Sequence, residues 1–146
     1  MGVVKRAKRV REKRSHPVRP LLLDTHVLVW WLAGDRRLPA SLRRRIADGE
    51  QKVYISAATA WEAATKVRLG KFPEATVVVE RLPDLLEEQG FAALPISMEA
   101  ARLAGMISSA HRDPFDRILA AQAMLEDVEL VSKDPAFALL GVEATW

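Results

Sequence analysis

Carboxylate side chains recur in this sequence where a predicted strand ends or a predicted helix begins. Asp24 directly follows the apolar run LLL, Glu62 comes about one helical turn after KVYIS, and Asp134 follows VELVS. In an open α/β sheet, such positions meet at the carboxyl edge of the parallel strands. Carboxylates gathered there repel one another, and a divalent cation removes that penalty. Because these are hard oxygen ligands without supporting thiolates, Mg²⁺ or Mn²⁺ is favoured over zinc.

Each of these acids also has an ordinary structural interpretation. Asp24 could cap a helix that starts at Thr25, although it interrupts the chain where an apolar strand ends, which favours a site. Glu62 and Lys66 have the spacing of a common surface ion pair on a helix. Asp134 precedes a proline, as residues that open a turn or a helix often do. Taken singly, these acids leave a chemical role and a structural role open.

The stretch HRDPFDRILAAQ, residues 111–122, contains two further aspartates. If Asp113 is the N-cap and Pro114 takes the first helical position, Asp116 is third, where the helix dipole favours an acid but the cap does not need one. Asp116 then heads the apolar stripe of this helix, which packs against the sheet. A carboxylate there is costly without a partner. We therefore predict that Asp113 is a structural cap and that Asp116 is the ligand.

Strands and helices are predicted to alternate along the chain. Short apolar or β-branched runs indicate strands at residues 21–23, 52–56, 91–96 and 128–132. Helical patterns cover residues 25–33, 41–48, 57–70, 75–89 and 98–110, and a further helix opens at Pro114. The C-terminal residues are expected to add a turn of helix and a final strand. This alternation predicts an α/β fold with a parallel, doubly wound sheet.

Composition limits the class of protein. The 146 residues are enough for one domain with a sizeable core. The chain has no cysteine, which excludes disulfides, thiolate metal sites and a cysteine nucleophile. No apolar run is long enough to cross a bilayer. We expect a soluble protein of a reducing cytoplasm that does not associate with membranes.

Charge is distributed unevenly. Residues 1–19 carry eight Lys and Arg against one Glu, a net charge of +7, whereas residues 20–146 carry 14 basic and 18 acidic residues, a net charge of −4. The first segment is too basic and too poor in apolar residues to pack, and it lacks the apolar core of a signal peptide. We predict a basic, flexible N-terminal arm at residues 1–19 and a folded domain at 20–146. Because charge runs are usually solvated, contact between this arm and nucleic acid is the less favoured interpretation.

Four segments, in this order and spacing, resemble the PIN-domain ribonucleases, in particular the VapC-like toxins of toxin–antitoxin pairs. They are LLLDTHVLVWWL, SAATAWEAATKVRLGK, HRDPFDRILAAQA and LVSKDPAF. The resemblance covers residues 20–146 and implies a single PIN-like domain with about five parallel strands flanked by helices. It also implies an acidic pocket that binds Mg²⁺ or Mn²⁺ and hydrolyses RNA phosphodiester bonds.

The resemblance assigns roles to individual acids. The four family acids fall on Asp24, Glu62, Asp116 and Asp134, of which the first three are expected to hold the cation and the fourth to complete the site. Many PIN proteins carry Asn or Ser two residues after the first acid, whereas this chain has His26. A bound cation would lower the pKa of a water molecule and stabilise charge on the phosphate.

Basic and hydroxyl residues lie beside these acids in the sequence. Arg112, Arg117 and Lys133 could contact the RNA backbone, and each could equally be exposed to solvent without that role. Ser132 or Thr25 could orient a carboxylate or bind phosphate, or could satisfy backbone groups.

Other site types fit less well. A haloacid-dehalogenase-type phosphatase needs a second acid two residues after the first, where this chain has His26. A receiver-like phosphoacceptor needs an adjacent acidic pair, and only Lys133 suggests such a site. The serious alternative is a catalytically inactive PIN-like module that binds RNA or protein. Metal-dependent RNA cleavage by the pure protein distinguishes that module from a ribonuclease.

Trp30 and Trp31 bear on the partners of the protein. They are neighbours on one predicted helix, so both cannot face the sheet. We expect one of them to meet another chain, unless a neighbouring helix of the same domain covers it. In the resembled family, such surfaces serve homodimerisation and the docking of an antitoxin segment. The expected partners are therefore an RNA substrate, a cognate antitoxin protein and a second copy of the chain.

Overall fold

The computed structural model describes Val4, Arg6 and residues 18–146. Most of the predicted basic arm, residues 1–19, lies outside the described residues. Within them, the predicted α/β fold is confirmed. The strands are β1 Leu21–Leu23, β2 Val53–Ser56, β3 Ala92–Leu94 and β4 Glu129–Val131. The helices are α1 Thr25–Ala33, α2 Ala40–Ala47, α3 Ala57–Arg68, α4 Thr76–Gln89, α5 Met98–Met106, α6 Pro114–Glu126 and α7 Ala136–Leu139, with a 3₁₀ turn at Pro73–Ala75.

The sheet is parallel throughout and has the strand order β3-β2-β1-β4. Strand order therefore reverses at β1, from which the chain passes first to one neighbour and later to the other. The described residues form four strands rather than about five, because the expected last strand is reduced to one parallel bridge between Val131 and Thr145. A ligand of an open α/β sheet binds beyond the carboxyl ends of the strands at such a reversal.

The central strand is held by burial on both of its faces. All three leucines of β1 are fully buried. Leu21 and Leu23 belong to the apolar cluster that includes α1, whereas Leu22 points to the opposite cluster, which includes α6. This alternation follows from the two-residue period of a strand, and it fixes the end of β1 between two helical layers. Asp24, which directly follows β1, consequently has a fixed position at the carboxyl edge of the sheet.

Trp30 and Trp31 are both buried within the chain, so the prediction that one of them is exposed to meet another chain is wrong. Their exposed fractions are only 8% and 3%. The Trp31 indole Nε1–H donates to Gln89 Oε1 of α4 at 3.0 Å. Trp30 packs edge-to-face on Trp146 from the C-terminal segment, with ring centroids 5.9 Å apart. Helix α1 is covered on more than one side by its own chain, so an apolar residue need not face the sheet to be buried.

Arg6 attaches the described part of the N-terminal segment to the domain. Its Nη1 donates to the carbonyl oxygens of Gln89 and Gly90, each at 3.3 Å, and its Nη2 donates to those of Asp48, at 2.7 Å, and Gln51. Its guanidinium carbon also lies 5.5 Å from the centroid of the Phe91 ring. These carbonyls lie at or just beyond the C-terminal ends of α2 and α4, where the helix dipoles favour a cation. One guanidinium thus joins two helix ends at the edge of the sheet opposite the acids.

We expect Arg6→Ala to lower the free energy of unfolding by about 1–3 kcal/mol, because it removes charge-assisted hydrogen bonds to several carbonyls. Urea unfolding of the full chain measures this loss. Arg6→Lys should recover only part of it, since an ammonium group cannot reach both helix ends as a planar guanidinium does. Equal stability of wild type and Arg6→Ala would show that these contacts do not hold the segment.

Among the described residues, no helix combines the length and apolarity needed to span a bilayer.

Candidate metal centre

Asp24 has the cap role that the sequence allowed, and its side chain also lines a cavity at the carboxyl edge of the sheet. It is the N-cap of α1, and its Oδ1 accepts a hydrogen bond from the Val27 backbone N–H at 2.9 Å. Its Oδ2 accepts a hydrogen bond from the Ser132 hydroxyl, which follows β4. The first turn of α1 and the residue that follows β4 therefore each fix one oxygen of this carboxylate. The Ser132 hydroxyl orients a carboxylate here, which was one of the alternatives considered for it.

Asp134 lies at the same edge but is exposed. Its backbone N–H donates to the Ser132 hydroxyl oxygen at 3.0 Å, and its Oδ1 accepts from the Ala136 N–H at 2.9 Å. The turn after β4 thus holds Asp134 near Asp24, while the proline that follows it opens α7. Asp134 has the turn-opening role that its sequence context allowed, and it also lines the acidic cavity.

Glu62 of α3 is buried, with an exposed fraction of 6%. The Thr25 hydroxyl at the start of α1 donates to its Oε1, and the Lys66 ammonium lies 2.9 Å from its Oε2. The pair with Lys66 has the spacing of a surface ion pair, but here both side chains line the cavity at the carboxyl edge of the sheet. Glu62 is therefore not a solvated residue on an outer helix face.

Asp113 and Asp116 occupy the start of α6. The Asp113 Oδ1 accepts from the backbone N–H groups of Phe115 at 2.9 Å and Asp116 at 3.1 Å, which is N-cap geometry. The Asp116 Oδ2 lies 2.8 Å from His111 Nε2. Each aspartate therefore has its own local partners. The cap of α6 is complete without the Asp116 carboxylate, as the helical positions predicted.

Three carboxylates form the tightest group among the described residues. Glu62, Asp113 and Asp116 each place one oxygen so that all three lie within 4.8 Å of one another. This set differs from the predicted ligands, because Asp113 belongs to it and Asp24 does not. One turn of helix separates Asp113 from Asp116, so the residue that caps α6 also faces Glu62. Asp24 lies in the same cavity, where Ser132 and Val27 bind its oxygens.

These groups surround a cavity of about 370 Å³. It is lined by five carboxylates and two lysines, namely Asp24, Glu62, Asp113, Asp116, Asp134, Lys66 and Lys133. All four predicted family acids thus line one cavity, although they come from four separate parts of the chain. Carboxylate oxygens are hard donors, which are the ligands that Mg²⁺ and Mn²⁺ prefer.

Burial raises the pKa of Asp24 from its ordinary 3.8 to about 6. Hydrogen bonds from Ser132 and Val27 lower this pKa in part, and the negative charges of Glu62 and Asp134 raise it again. Burial is likewise the main cause that raises the pKa of Asp116 to about 6. Both carboxylates therefore lack enough positive charge within the chain to offset their desolvation, which is what a bound cation would supply.

This shift gives a prediction for stability without metal. A raised folded-state pKa means that protonation favours the folded state, so the contribution of Asp24 is present below about pH 4 and is lost as pH rises through about 6. In EDTA, Asp24→Asn should therefore be more stable than wild type at pH 7, by about 3 kcal/mol at most. Asn retains the N-cap.

Denaturant unfolding of both proteins at about pH 4 and pH 7 measures that difference, which should grow with pH. Mn²⁺ should stabilise wild type, and it should stabilise Asp24→Asn less, because the variant lacks one negative charge in the cavity. A wild-type protein more stable than Asp24→Asn in EDTA at pH 7 would contradict the proposed repulsion.

The three cations predicted to contact RNA differ in their surroundings. Lys133 is exposed and lines the cavity, and Arg112 is exposed beside Asp113. Arg117 instead donates to the carbonyl oxygens of Ala104 and His111, each at 2.8 Å, and also to Gly105 and Ile107. Its guanidinium satisfies the C-terminal end of α5, so a structural role accounts for Arg117.

Two residues of the site were missed by the sequence analysis. His111 contacts Asp116, yet it was not considered, because a histidine five residues before an acid carries no recognisable spacing signal. Lys66 was treated only as the surface partner of Glu62. Both residues lie within the quoted segments, and that position is the signal that could have identified them. For Asp113, the cap role was correctly read, but membership of the carboxylate group depends on how α3 packs against α6.

Comparison with known proteins places this arrangement in a family. Residues 21–142 match the PIN domain, a stretch that contains all four strands and the five carboxylates of the cavity. The chain belongs to the PIN-domain family. Ribonuclease VapC22 of Mycobacterium tuberculosis is 30% identical over 114 residues, which make up 78% of this chain and 86% of that protein. The resemblance recognised from the four sequence segments is thereby confirmed.

Solved structures share the PIN fold. FitAcB from Neisseria gonorrhoeae superposes with a TM-score of 0.61 at 24% identity, and the match covers 86% of this chain and 96% of that chain. VapBC2 from Rickettsia felis, solved bound to a DNA fragment from their promoter, gives a TM-score of 0.55 at 17% identity over 81% and 90% of the two chains. At these identities, the likeness supports the fold alone.

Proposed function

We propose that this PIN-domain protein is a metal-dependent endoribonuclease and the toxin component of a toxin–antitoxin pair. The observation that carries the proposal is the group of Glu62, Asp113 and Asp116 oxygens within 4.8 Å of one another. Asp24 and Asp134 line the same cavity. The 30% identity to Ribonuclease VapC22 supports RNA as the substrate. An acidic group of this kind repels RNA by itself, so it needs a cation to bind the phosphate.

The donor set fits Mg²⁺ or Mn²⁺. Glu62, Asp113 and Asp116 offer hard oxygen atoms from two helices, and Asp24 adds a fourth carboxylate within the same cavity. When bound, the cation supplies an activated water molecule and positive charge beside the phosphate oxygens. Asp116 and Glu62 are the residues that we assign to hold it. Asp24 is assigned as a further ligand, directly or through water.

The other residues of the cavity orient these carboxylates and receive the substrate. Ser132 fixes Asp24, Thr25 fixes Glu62, and His111 fixes Asp116, so each acid has a hydrogen-bond partner that limits its rotation. Such partners tune and orient metal ligands. We assign Lys133 to contact a phosphate of the RNA backbone, and its exposed position at the cavity supports this role. Asp134 completes the acidic wall.

The proposal is tested by incubating the purified protein with total RNA in Mg²⁺, in Mn²⁺ and in EDTA, followed by mapping of the cut ends. We expect discrete cuts that require the cation. Hydrolysis by water leaves no 2′,3′-cyclic phosphate, whereas attack by the RNA 2′-hydroxyl does, so the chemistry of the ends separates this activity from a contaminating ribonuclease. Binding of RNA without cleavage in any cation would favour the inactive PIN-like module instead.

Partners follow from the same proposal. A toxin of this kind would be neutralised by a cognate antitoxin protein, and a homodimer is the expected assembly. Several large apolar side chains of the described residues are exposed and available for such contacts, among them Met98, Met106 and Leu139. Sedimentation of the pure protein measures the dimer.

A further inference from the structure

An aromatic group forms the wall of the acidic cavity beside Asp24. His26 lines the cavity, as does Trp30 one helical turn further along α1. The imidazole of His26 stacks on the Phe72 ring, with centroids 4.8 Å apart and an interplanar angle of 24°. The Trp30 ring lies 5.8 Å from His26 at an angle of 60°. The carboxylates thus occupy one part of the cavity and flat rings another.

The surroundings of His26 differ from those of the rings that hold it. Phe72 is buried, with an exposed fraction of 6%, and Trp30 is also buried. His26 remains exposed although it contacts both. A ring that is braced by two buried aromatics has little freedom to lose when a ligand stacks on it, which lowers the cost of binding. His26 is therefore an exposed ring, held by two aromatic neighbours, that lines the cavity.

From this placement we propose that His26 is a stacking subsite for one nucleobase of single-stranded RNA, next to the phosphodiester bond that is cleaved. This inference rests on the proposed ribonuclease function and adds a substrate-contacting residue to it. The cavity volume of about 370 Å³ lies in the range of about 300–1,000 Å³ that is usual for small-molecule sites, so it accepts more than a cation and a phosphate group. The ring surface and the carboxylates border the same space.

The exposed part of the His26 ring is available for contact with a ligand in the cavity. Phe72 and Trp30 belong to the buried apolar core, whereas His26, which contacts both, stays exposed beside the cavity. Bases stack on aromatic side chains with little dependence on sequence, and an unpaired base offers such a face. RNA with paired bases would not present one. The proposed subsite therefore requires an unpaired base in the substrate.

The exposed Trp61 provides a matched control. It lies next to Glu62 in α3, and its ring packs edge-to-face on Phe115 at 4.6 Å between centroids. Its exposed fraction is 53%, yet it does not line the cavity. A general loss of aromatic surface near the acids would affect both residues, whereas a base subsite in the cavity depends on His26.

The first test measures cleavage of a short single-stranded RNA, carrying a fluorophore and a quencher, in Mn²⁺. We expect His26→Ala to raise KM by about 5- to 100-fold, as loss of one stacked base does, with a much smaller change in kcat. His26→Phe, which keeps a flat ring, should restore KM to within a few-fold of wild type. Trp61→Ala should leave KM near the wild-type value.

Two controls make the result specific. Circular dichroism shows whether each variant is folded, and the thermal shift caused by Mn²⁺ shows whether Asp24, two residues from His26, still contributes to the cation site. An unchanged KM for His26→Ala overturns the proposal. A His26→Phe variant as defective as His26→Ala also overturns it, because the ring face would then not be the contact. The same applies if Trp61→Ala alone raises KM.

A second readout does not require cleavage. A short RNA with 2-aminopurine at successive positions is titrated with the protein in Ca²⁺, and its emission is followed. We expect quenching at one position with wild type and His26→Phe, and loss of that quenching with His26→Ala. If the protein never cuts RNA but this pattern is present, the ribonuclease function fails while the base subsite stands. Equal quenching with wild type and His26→Ala overturns the subsite.

Discussion

Asp116→Asn is expected to lower RNA cleavage by orders of magnitude while the protein stays folded. The amide has nearly the shape of the carboxylate but lacks the charge that holds the cation. It can keep the contact with His111, and α6 remains capped by Asp113. The lost interaction with the helix dipole costs at most about 1 kcal/mol, and removal of a buried charge offsets it. Cleavage of one RNA in Mn²⁺, with unfolding measured beside it, tests both parts.

Asp113→Asn is the matched variant for that experiment. Asn caps a helix about as well as Asp, so stability should change little, whereas Asp113→Ala should lose about 1 kcal/mol. Because an Asp113 oxygen belongs to the carboxylate group, some loss of cleavage is expected, but less than in Asp116→Asn. If Asp113→Asn is the inactive protein and Asp116→Asn the active one, the assignment within HRDPFDR is reversed.

Glu62→Gln is expected to have the second large effect on cleavage. Gln keeps an oxygen that accepts from the Thr25 hydroxyl, but it loses the charge that faces Lys66 and the proposed cation. We expect cleavage to fall by orders of magnitude and the stabilisation by Mn²⁺ to shrink. The RNA assay and a thermal shift with and without Mn²⁺ measure the two changes.

Lys66→Met separates the loss of a ligand from the loss of an ion pair. This variant also breaks the pair with Glu62, yet it leaves the carboxylate in place. If the effect of Glu62→Gln came only from the broken pair, Lys66→Met would show an equal loss of cleavage. We expect Lys66→Met to retain far more activity and a clear stabilisation by Mn²⁺. An equal loss in both variants would remove Glu62 from the proposed ligands.

Local sequence rules predicted the elements that carry the site. The run LLL followed by Asp24 correctly predicted β1 and the capped start of α1, and Asp113 with Pro114 correctly predicted the start of α6. These features depend on neighbours in the chain, such as a side chain that accepts from an N–H two or three residues later. The predicted helix through Pro83 also forms, with a kink at Arg81. Short-range signals were therefore sufficient to locate the elements that carry these acids, whereas their meeting at one sheet edge depends on strand pairing.

Packing between distant elements decided what the sequence left open. Glu62 and Lys66 have the same spacing in a solvated pair and in this buried one, and only the contact with Thr25 of α1 separates the two cases. Burial of Trp30 depends on Trp146, which is over a hundred positions away in the chain. Arg117 likewise donates to carbonyls at the end of α5, and no pattern in the neighbouring sequence predicts that contact. Such contacts follow from the tertiary fold rather than from spacing.

The most direct test of the central claim compares cation occupancy with cleavage in one titration. Protein freed of metal by EDTA and dialysed is titrated with Mn²⁺, bound Mn²⁺ is measured by electron paramagnetic resonance, and RNA cleavage is measured in the same samples. We predict that cleavage is absent without cation and rises in proportion to bound Mn²⁺, and that Asp116→Asn loses both. Cleavage that persists in EDTA, or Mn²⁺ bound at the carboxylates without any cleavage of RNA, would contradict the account.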